Sequence, residues 1–519
     1  MCDIVTCALK MHMRGKGNLF KKLWLIIIFC IIFVAVGVLY AVFITPPSLF
    51  EAPDESGHFS YIHYIQAEKK LPVLHETNFY ESEIEIAEDY LEGIDDYSVY
   101  EIRDDFVPNG PNWIVQHPVA YYALMSPVLA LGRIFTDKLV YLIYLIRIAT
   151  VLLGLVFVIY CYKLLKLLKR NNYFIAVFLS IIVFSPMIQY YFSVVSNESL
   201  VILLSMMSLY YLVKFQKFSK KSDMILFTIF ANLILLTKYT GALILLPYGA
   251  FLIYLLIKKF KTREIIFSLL ICIGISLVIS GPFLMRNIHI YDKLLPTKNQ
   301  IYTTSFDYGI IDFFASGYIN EIYKHLCNFV GWVNFIGTDI YVRYFYCIII
   351  GIGPLVFSFL KHRENNLGFN KKRYIIVAGV LLVVAVLDAV WGYFGRYNLG
   401  LYVIITLVGL VYGFYHLIRK VKAKNEHDTM MVFFIATILF VVLGFMYTHF
   451  NLFNRNGFLI ATHGRYYLLL AFPFIYLVAL MYDNYLNGRA YYKYIVGAVT
   501  LLCILNEAHI ISYLIRLWH

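Results

Sequence analysis

The chain has 519 residues, 61% hydrophobic and only 15% charged, against roughly half and a quarter in an ordinary globular domain. Repeated apolar stretches of about 18 to 22 residues match a hydrocarbon core of roughly 30 Å, which excludes a soluble enzyme on a small anchor, a disordered scaffold and a secreted disulfide module. The net charge of +12 does not imply nucleic-acid binding, because Lys and Arg sit in short turns between apolar segments and form no basic stripe.

In chain order, residues 1–22 form a basic N-terminus with Lys10, Arg14, Lys16, Lys21 and Lys22. The apolar run 23–44 follows, too long for a signal peptide, and ends at Thr45-Pro46-Pro47. Further apolar runs lie at 139–162, 172–192, 198–213, 224–237, 241–257, 265–284, 342–360, 374–391, 398–418, 430–447, 466–482 and 494–515. The expected fold is therefore an all-α polytopic membrane protein with 13 spans. Alternating them gathers 28 of the 44 Lys and Arg on one side, so the positive-inside rule puts the N-terminus in the cytoplasm of a cell-membrane protein. The run 117–133 would reverse every later segment if it crossed, so it is expected to lie on or dip into the outer leaflet. Residues 23–519 then form one transmembrane domain. Its outer face carries a first loop at 45–138 with short amphipathic helices, and further loops at 285–341 and 448–465. Residues 45–115 hold 16 of the 32 acidic residues, so chemistry is expected on that face. The eight cysteines include no CxxC pair, which argues against a zinc site or a disulfide framework.

Pro53-Asp54-Glu55-Ser56-Gly57-His58 follows the first span. Pro53 breaks the helix, and Asp54 is placed to cap a new one whose apolar face carries Tyr61, Ile62 and Ile65. Asp54 and His58 are four apart and share a face. The Asp54-Glu55 pair suits either capping and surface solvation, or a general base toward an acceptor hydroxyl with its neighbour orienting it or binding a cation. The acids between Glu81 and Asp105 read as a solvated face. Asn197-Glu198-Ser199 reads as a capped outer turn that matches a glycosylation sequon. Lys238, Arg286, Arg396 and Arg465 meet the same boundary, with Arg343 and Arg455 nearby. They either snorkel or seat phosphate oxygens. Asp388 and Arg147 are among the charges placed inside spans. P-loop, Rossmann, HExxH and GxSxG patterns are absent.

Several blocks in order resemble the family called domain of unknown function 2142. They are Thr45-Pro46-Pro47 through Phe50-Glu51-Ala52-Pro53-Asp54-Glu55 with His58, His117-Pro118-Val119-Ala120-Tyr121-Tyr122, Ser196-Asn197-Glu198, Leu236-Thr237-Lys238 before Gly241, Arg286-Asn287 with Tyr291-Asp292, and His463-Gly464-Arg465-Tyr466. His117-Pro118 replaces the Pro-Pro pair of many relatives. The resemblance extends to glycosyltransferases of the GT-C fold, such as protein O-mannosyltransferases and aminoarabinose transferases. It implies a GT-C-like bundle, a polyprenyl-phosphate sugar donor, an outer-face active site and a catalytic Asp in the first outer loop.

The resulting expectation is an inverting membrane glycosyltransferase acting on an extracytoplasmic acceptor: a cell-envelope glycan, a lipid or a protein. Asp54 would be the base, with Glu55 holding it or the acceptor and His58 in support. Arg465, Arg286, Lys238 and Tyr466 would bind the donor phosphate. No cofactor is required, although some enzymes of this class hold a divalent cation, for which Asp54 and Glu55 are the ligands to consider. The rival expectation is a transporter or flippase for a lipid-linked or polar solute.

Overall fold

The computed structural model describes residues 24–94, 96–296, 306–319, isolated positions between 329 and 356, residue 410, 426–459 and 463–518. The basic segment 1–22, most of the run 342–360, the runs 374–391 and 398–418, and Arg343, Asp388 and Arg396 lie outside the described residues.

The described chain is mostly helical. Helix α1 (Trp24–Ile44) widens over Leu39–Ile44 into a π-turn, because Pro46 and Pro47 have no N–H to continue the ladder. Outside the bundle follow α2 (Glu55–Glu68), β1 (Asn78–Tyr80), α3 (Glu81–Leu91), β2 (Phe106–Pro111) and α4 (Ala120–Arg133). The two strands pair antiparallel, Asn78 with Pro111 and Tyr80 with Phe106. The bundle continues with α5 (Leu139–Leu167), α6 (Asn172–Val183), α7 (Pro186–Tyr191), α8 (Asn197–Phe218), α9 (Lys221–Leu235), α10 (Ala242–Lys259), α11 (Thr262–Ile279) and α12 (Gly281–Tyr291). The short α13 (Ile310–Ala315), then α14 (Glu426–Asn456), α15 (Ala471–Leu486) after a 3₁₀ stretch at Gly464–Leu470, and α16 (Tyr492–Trp518) complete it.

Among the described residues, eight helical segments are long and apolar enough to cross a membrane: Trp24–Ile44, Leu139–Leu167, Asn197–Phe218, Tyr239–Lys259, Thr262–Ile279, Asp428–Asn456, Gly464–Leu486 and Tyr492–Trp518. The protein is thus a multi-pass membrane protein. Helix α8 is buried on nearly all sides and forms the centre, whereas α11 faces outward along almost its whole length. The expected span 172–192 is not one helix. Phe184 and Ser185 separate α6 from α7, whose first residue is Pro186, and proline cannot supply the missing hydrogen bond. The expected loop 448–465 is mostly helix, since α14 runs on to Asn456.

The basic turns meet at one end of the bundle. There the Lys217 ammonium donates to the Leu167 carbonyl at 2.9 Å, and Lys259 reaches the Gln216 carbonyl. The opposite end carries the turns after α1, α7 and α9, covered by residues 45–138. Helix α2 was expected to be amphipathic, yet Glu55 and every residue from Gly57 to Tyr64 are buried. The reason is long-range: α3, the β1–β2 ribbon and α4 enclose it. Gly57 permits that enclosure, because a Cβ there would stand 2.5 Å from Ile114. The Asn112 amide donates to the Gly57 carbonyl at 3.0 Å. Helix α4, 14 residues long, is too short to cross. It buries Tyr121 and Tyr122 and exposes Leu124 and Leu131, the pattern of a helix lying at an interface.

Candidate active site

The chain enters the site through the turn between α1 and α2. Asp54 immediately precedes α2 with φ 65°, in the left-handed region, which Asp and Asn tolerate better than most side chains. Its carboxylate does not cap the helix. Oδ2 accepts from Arg465 Nη2 at 3.0 Å and Oδ1 from Trp113 Nε1 at 3.4 Å. Asp54 and Arg465, 411 residues apart, are thus paired directly.

Glu55 turns the other way, since successive residues on a helix diverge by about 100°. It is fully buried and forms a bidentate pair with Arg147, Nε to Oε1 at 2.9 Å and Nη2 to Oε2 at 2.6 Å. The Val195 N–H adds a third bond to Oε1 at 2.8 Å. Arg147 Nη1 also donates to the Ala41 and Thr45 carbonyls, and Nη2 to the Pro46 carbonyl. All five guanidinium donors are thereby used. The carbonyls it takes are those left open by the π-turn and the prolines. Asp54 and Glu55, each held by its own arginine, do not present a shared cation site. Among the described residues no group of three His, Cys, Asp or Glu side chains is placed to hold a metal.

Glu198, read from sequence as part of a turn, is the site's second carboxylate. It is 3% exposed, pairs with the Lys238 ammonium, and lies 3.7 Å from Arg465 Nε. Asn197 is fully buried, so the Asn197-Glu198-Ser199 sequon is closed to modification in the folded protein. Lys238 leads the tight turn from α9 into α10. Its ammonium stands 5.1 Å from the centre of the Tyr466 ring, and the Arg465 guanidinium 5.6 Å from the same ring. Arg286 is not drawn into this cluster; its guanidinium donates to the Leu71 and Pro72 carbonyls at 3.3 and 2.7 Å. Arg455 is exposed near the end of α14.

His58 Nδ1 shares a hydrogen bond of 2.8 Å with the Tyr122 hydroxyl, to which the Asn197 amide also donates at 3.4 Å. The ring stacks on His117 at 6.0 Å, and Tyr61 stacks on Tyr122 at 3.7 Å. Burial pushes His58 down to about 3; Asp54 opposes the change, and Lys238 and Arg465 reinforce it. His117 lies well below the usual histidine range, first through burial and then through Lys238. For Asp54, burial acts upward, but the Arg465 charge and hydrogen bond, with His58 and Trp113, hold the carboxyl down at about 2.

A second polar group fastens the cover. His63 meets Glu83 at 2.8 Å and Asp104 at 2.9 Å, and Arg133 binds Asp104 at 3.0 Å. Glu83 is completely buried, so the acids of 81–105 are not all on a solvated face.

The site unites Asp54, His58, Lys238, Arg465 and Tyr466 and leaves out Glu55 and Arg286. Glu198, Trp113, His117 and Tyr122 are additions from the fold. Glu198, His117 and Tyr122 stand in quoted blocks, but their partners are far away in sequence. No curated protein matches the chain. Residues 116–403, more than half its length, match the family described as "Predicted membrane protein (DUF2142)", and the chain belongs to that family.

Proposed function

We propose that the protein is a membrane glycosyltransferase of the GT-C kind, moving a sugar from a polyprenyl-phosphate donor to an extracytoplasmic acceptor with inversion. The observation that supports this best is the Asp54–Arg465 pair at one end of the bundle. Asp54 is 29% exposed in its side chain, whereas Arg465 is largely buried beneath it beside Lys238 and Tyr466. A partly exposed carboxylate suits an acceptor hydroxyl, and guanidinium and ammonium groups suit a departing phosphate. The basic turns at the other end favour an orientation with the site on the outer face.

The test is to incubate the purified protein with radiolabelled polyprenyl-phosphate sugars and membrane extract and follow label leaving the lipid. Transfer by the wild type and its loss in Asp54→Asn is the expected result. Absence of transfer from every donor in a panel spanning hexoses, pentoses and aminosugars would overturn the reading.

A further inference from the structure

We propose that Arg465 is handed from the Asp54 carboxylate to the phosphodiester anion of the donor, so that Asp54 becomes a working base only in the loaded site. This rests on the reading of the site as a seat for a lipid-linked phosphate and adds an order of events to it.

The first argument is the under-used guanidinium. Arg465 makes one hydrogen bond to a side chain of the described residues, to Asp54; its Nε is buried without one, 3.7 Å from Glu198. A planar fork with open donors is suited to two phosphate oxygens.

The second argument is which bond can yield. Glu198 is 3% exposed and held by Lys238, whereas Asp54 is 29% exposed and its other contact, from Trp113, is long at 3.4 Å. The Asp54–Arg465 bond is thus the more exposed of the two and the one an arriving anion can displace.

The third argument is charge. Arg465 and Lys238 balance Asp54 and Glu198. The remaining groups around Asp54 are His58 and His117, both kept neutral, and the Tyr122 and Tyr191 phenols. A phosphodiester adds one negative charge with no further cation among the described residues around Asp54 to match it, and it removes Arg465 from the carboxylate. Both effects raise the proton affinity of Asp54. A carboxylate clamped by Arg465 is a feeble base at neutral pH, and the released one is better matched to taking an acceptor proton. Donor binding therefore precedes activation of the acceptor.

The experiment measures binding of farnesyl methyl phosphate to the full-length protein in lipid nanodiscs between pH 5 and 8. This probe carries the isoprenoid and the phosphodiester without a sugar and stays a monoanion over that range. In the wild type its Kd should tighten as pH falls, approaching about tenfold per pH unit where one proton is taken up. Asp54→Asn should bind at least as tightly at pH 7.5, with a flat pH profile. The same slope in both proteins would overturn the handover and leave the donor reading standing. No binding to the wild type at any pH would overturn both. Dimethyl phosphate, which keeps the anion and drops the lipid, should bind far more weakly; equal affinity would overturn a lipid-linked source.

Discussion

Arg147 and Arg465 are buried in the same bundle and have opposite surroundings. Arg147 is completely enclosed and every donor is engaged, two by Glu55 and three by backbone carbonyls. Among the described residues Arg465 makes one side-chain hydrogen bond, to Asp54, and its buried Nε makes none. A fully engaged buried charge holds a fold together, because removing its partner leaves an uncompensated ion. A partly engaged one keeps capacity for a ligand. The difference separates a fully engaged arginine from a partly engaged one although the residue type is the same.

The comparison breaks most sharply at Glu55. Glu55→Gln should destabilise by about 3–5 kcal/mol, leaving the Arg147 cation without its counter-ion, as a fall in Tm of the detergent-solubilised protein would register. Arg147→Lys should not rescue the fold, because an ammonium has three donors for five positions. A stable Glu55→Gln protein that has lost only turnover would move Glu55 into the chemistry.

Asp54→Asn should do the reverse. Asn tolerates the left-handed backbone and still accepts from Arg465, so the stability loss should be about 1 to 2 kcal/mol. Turnover should fall at least about a hundredfold, the scale for a lost general base. A well-folded Asp54→Asn protein with normal turnover would contradict the assignment.

Arg465→Lys keeps the charge and loses the fork. Donor binding should weaken by about tenfold, roughly one bidentate bond's worth, with little change in Tm. Unchanged donor affinity would leave Arg465 as a boundary residue only.

The last comparison is in acid. His58 and His117 are buried neutral, whereas an unfolded chain protonates histidine near 6.5. Their folded values lie below that, so their contribution is fully present above about pH 6.5. It is lost as pH falls toward 3, by at most about 1.4 kcal/mol per pH unit for each histidine. Asp54, also depressed, adds to the loss only below about pH 4. Thermal unfolding in steps from pH 7.5 to 4 separates the two, and His58→Gln should flatten the upper part of the slope. A Tm unchanged down to pH 4 would contradict neutral burial.

What could be read from sequence was local. Pro53 marks the break before α2, the spacing of Asp54 and His58 puts them together, and apolar length finds the spans that the described residues contain. Asp54 and Glu55 looked like one pair because they are neighbours, yet helical geometry sends them to different partners, at positions 465 and 147. Glu198 read as a turn residue, since Ser-Asn-Glu caps a helix equally well at any surface. Its role depends on Lys238, which is 40 residues away, and on Arg465. The all-round burial of α2 likewise depends on strands and helices that fold over it from up to 78 positions later.

The Arg147 junction also bears on how the protein could change over time. Asp54 immediately precedes Glu55, which Arg147 grips, and Glu198 lies three residues beyond Val195, which binds the same Glu55 carboxylate. The spacing between the two site carboxylates is thus set by one guanidinium behind them and by two short lengths of chain. Inserting a single residue between Thr45 and Asp54, or between Val195 and Glu198, would shift one carboxylate against the other without touching either. Lengthening should be tolerated instead in the turn between α3 and β2, where Glu92, Gly93 and Ile94 are exposed.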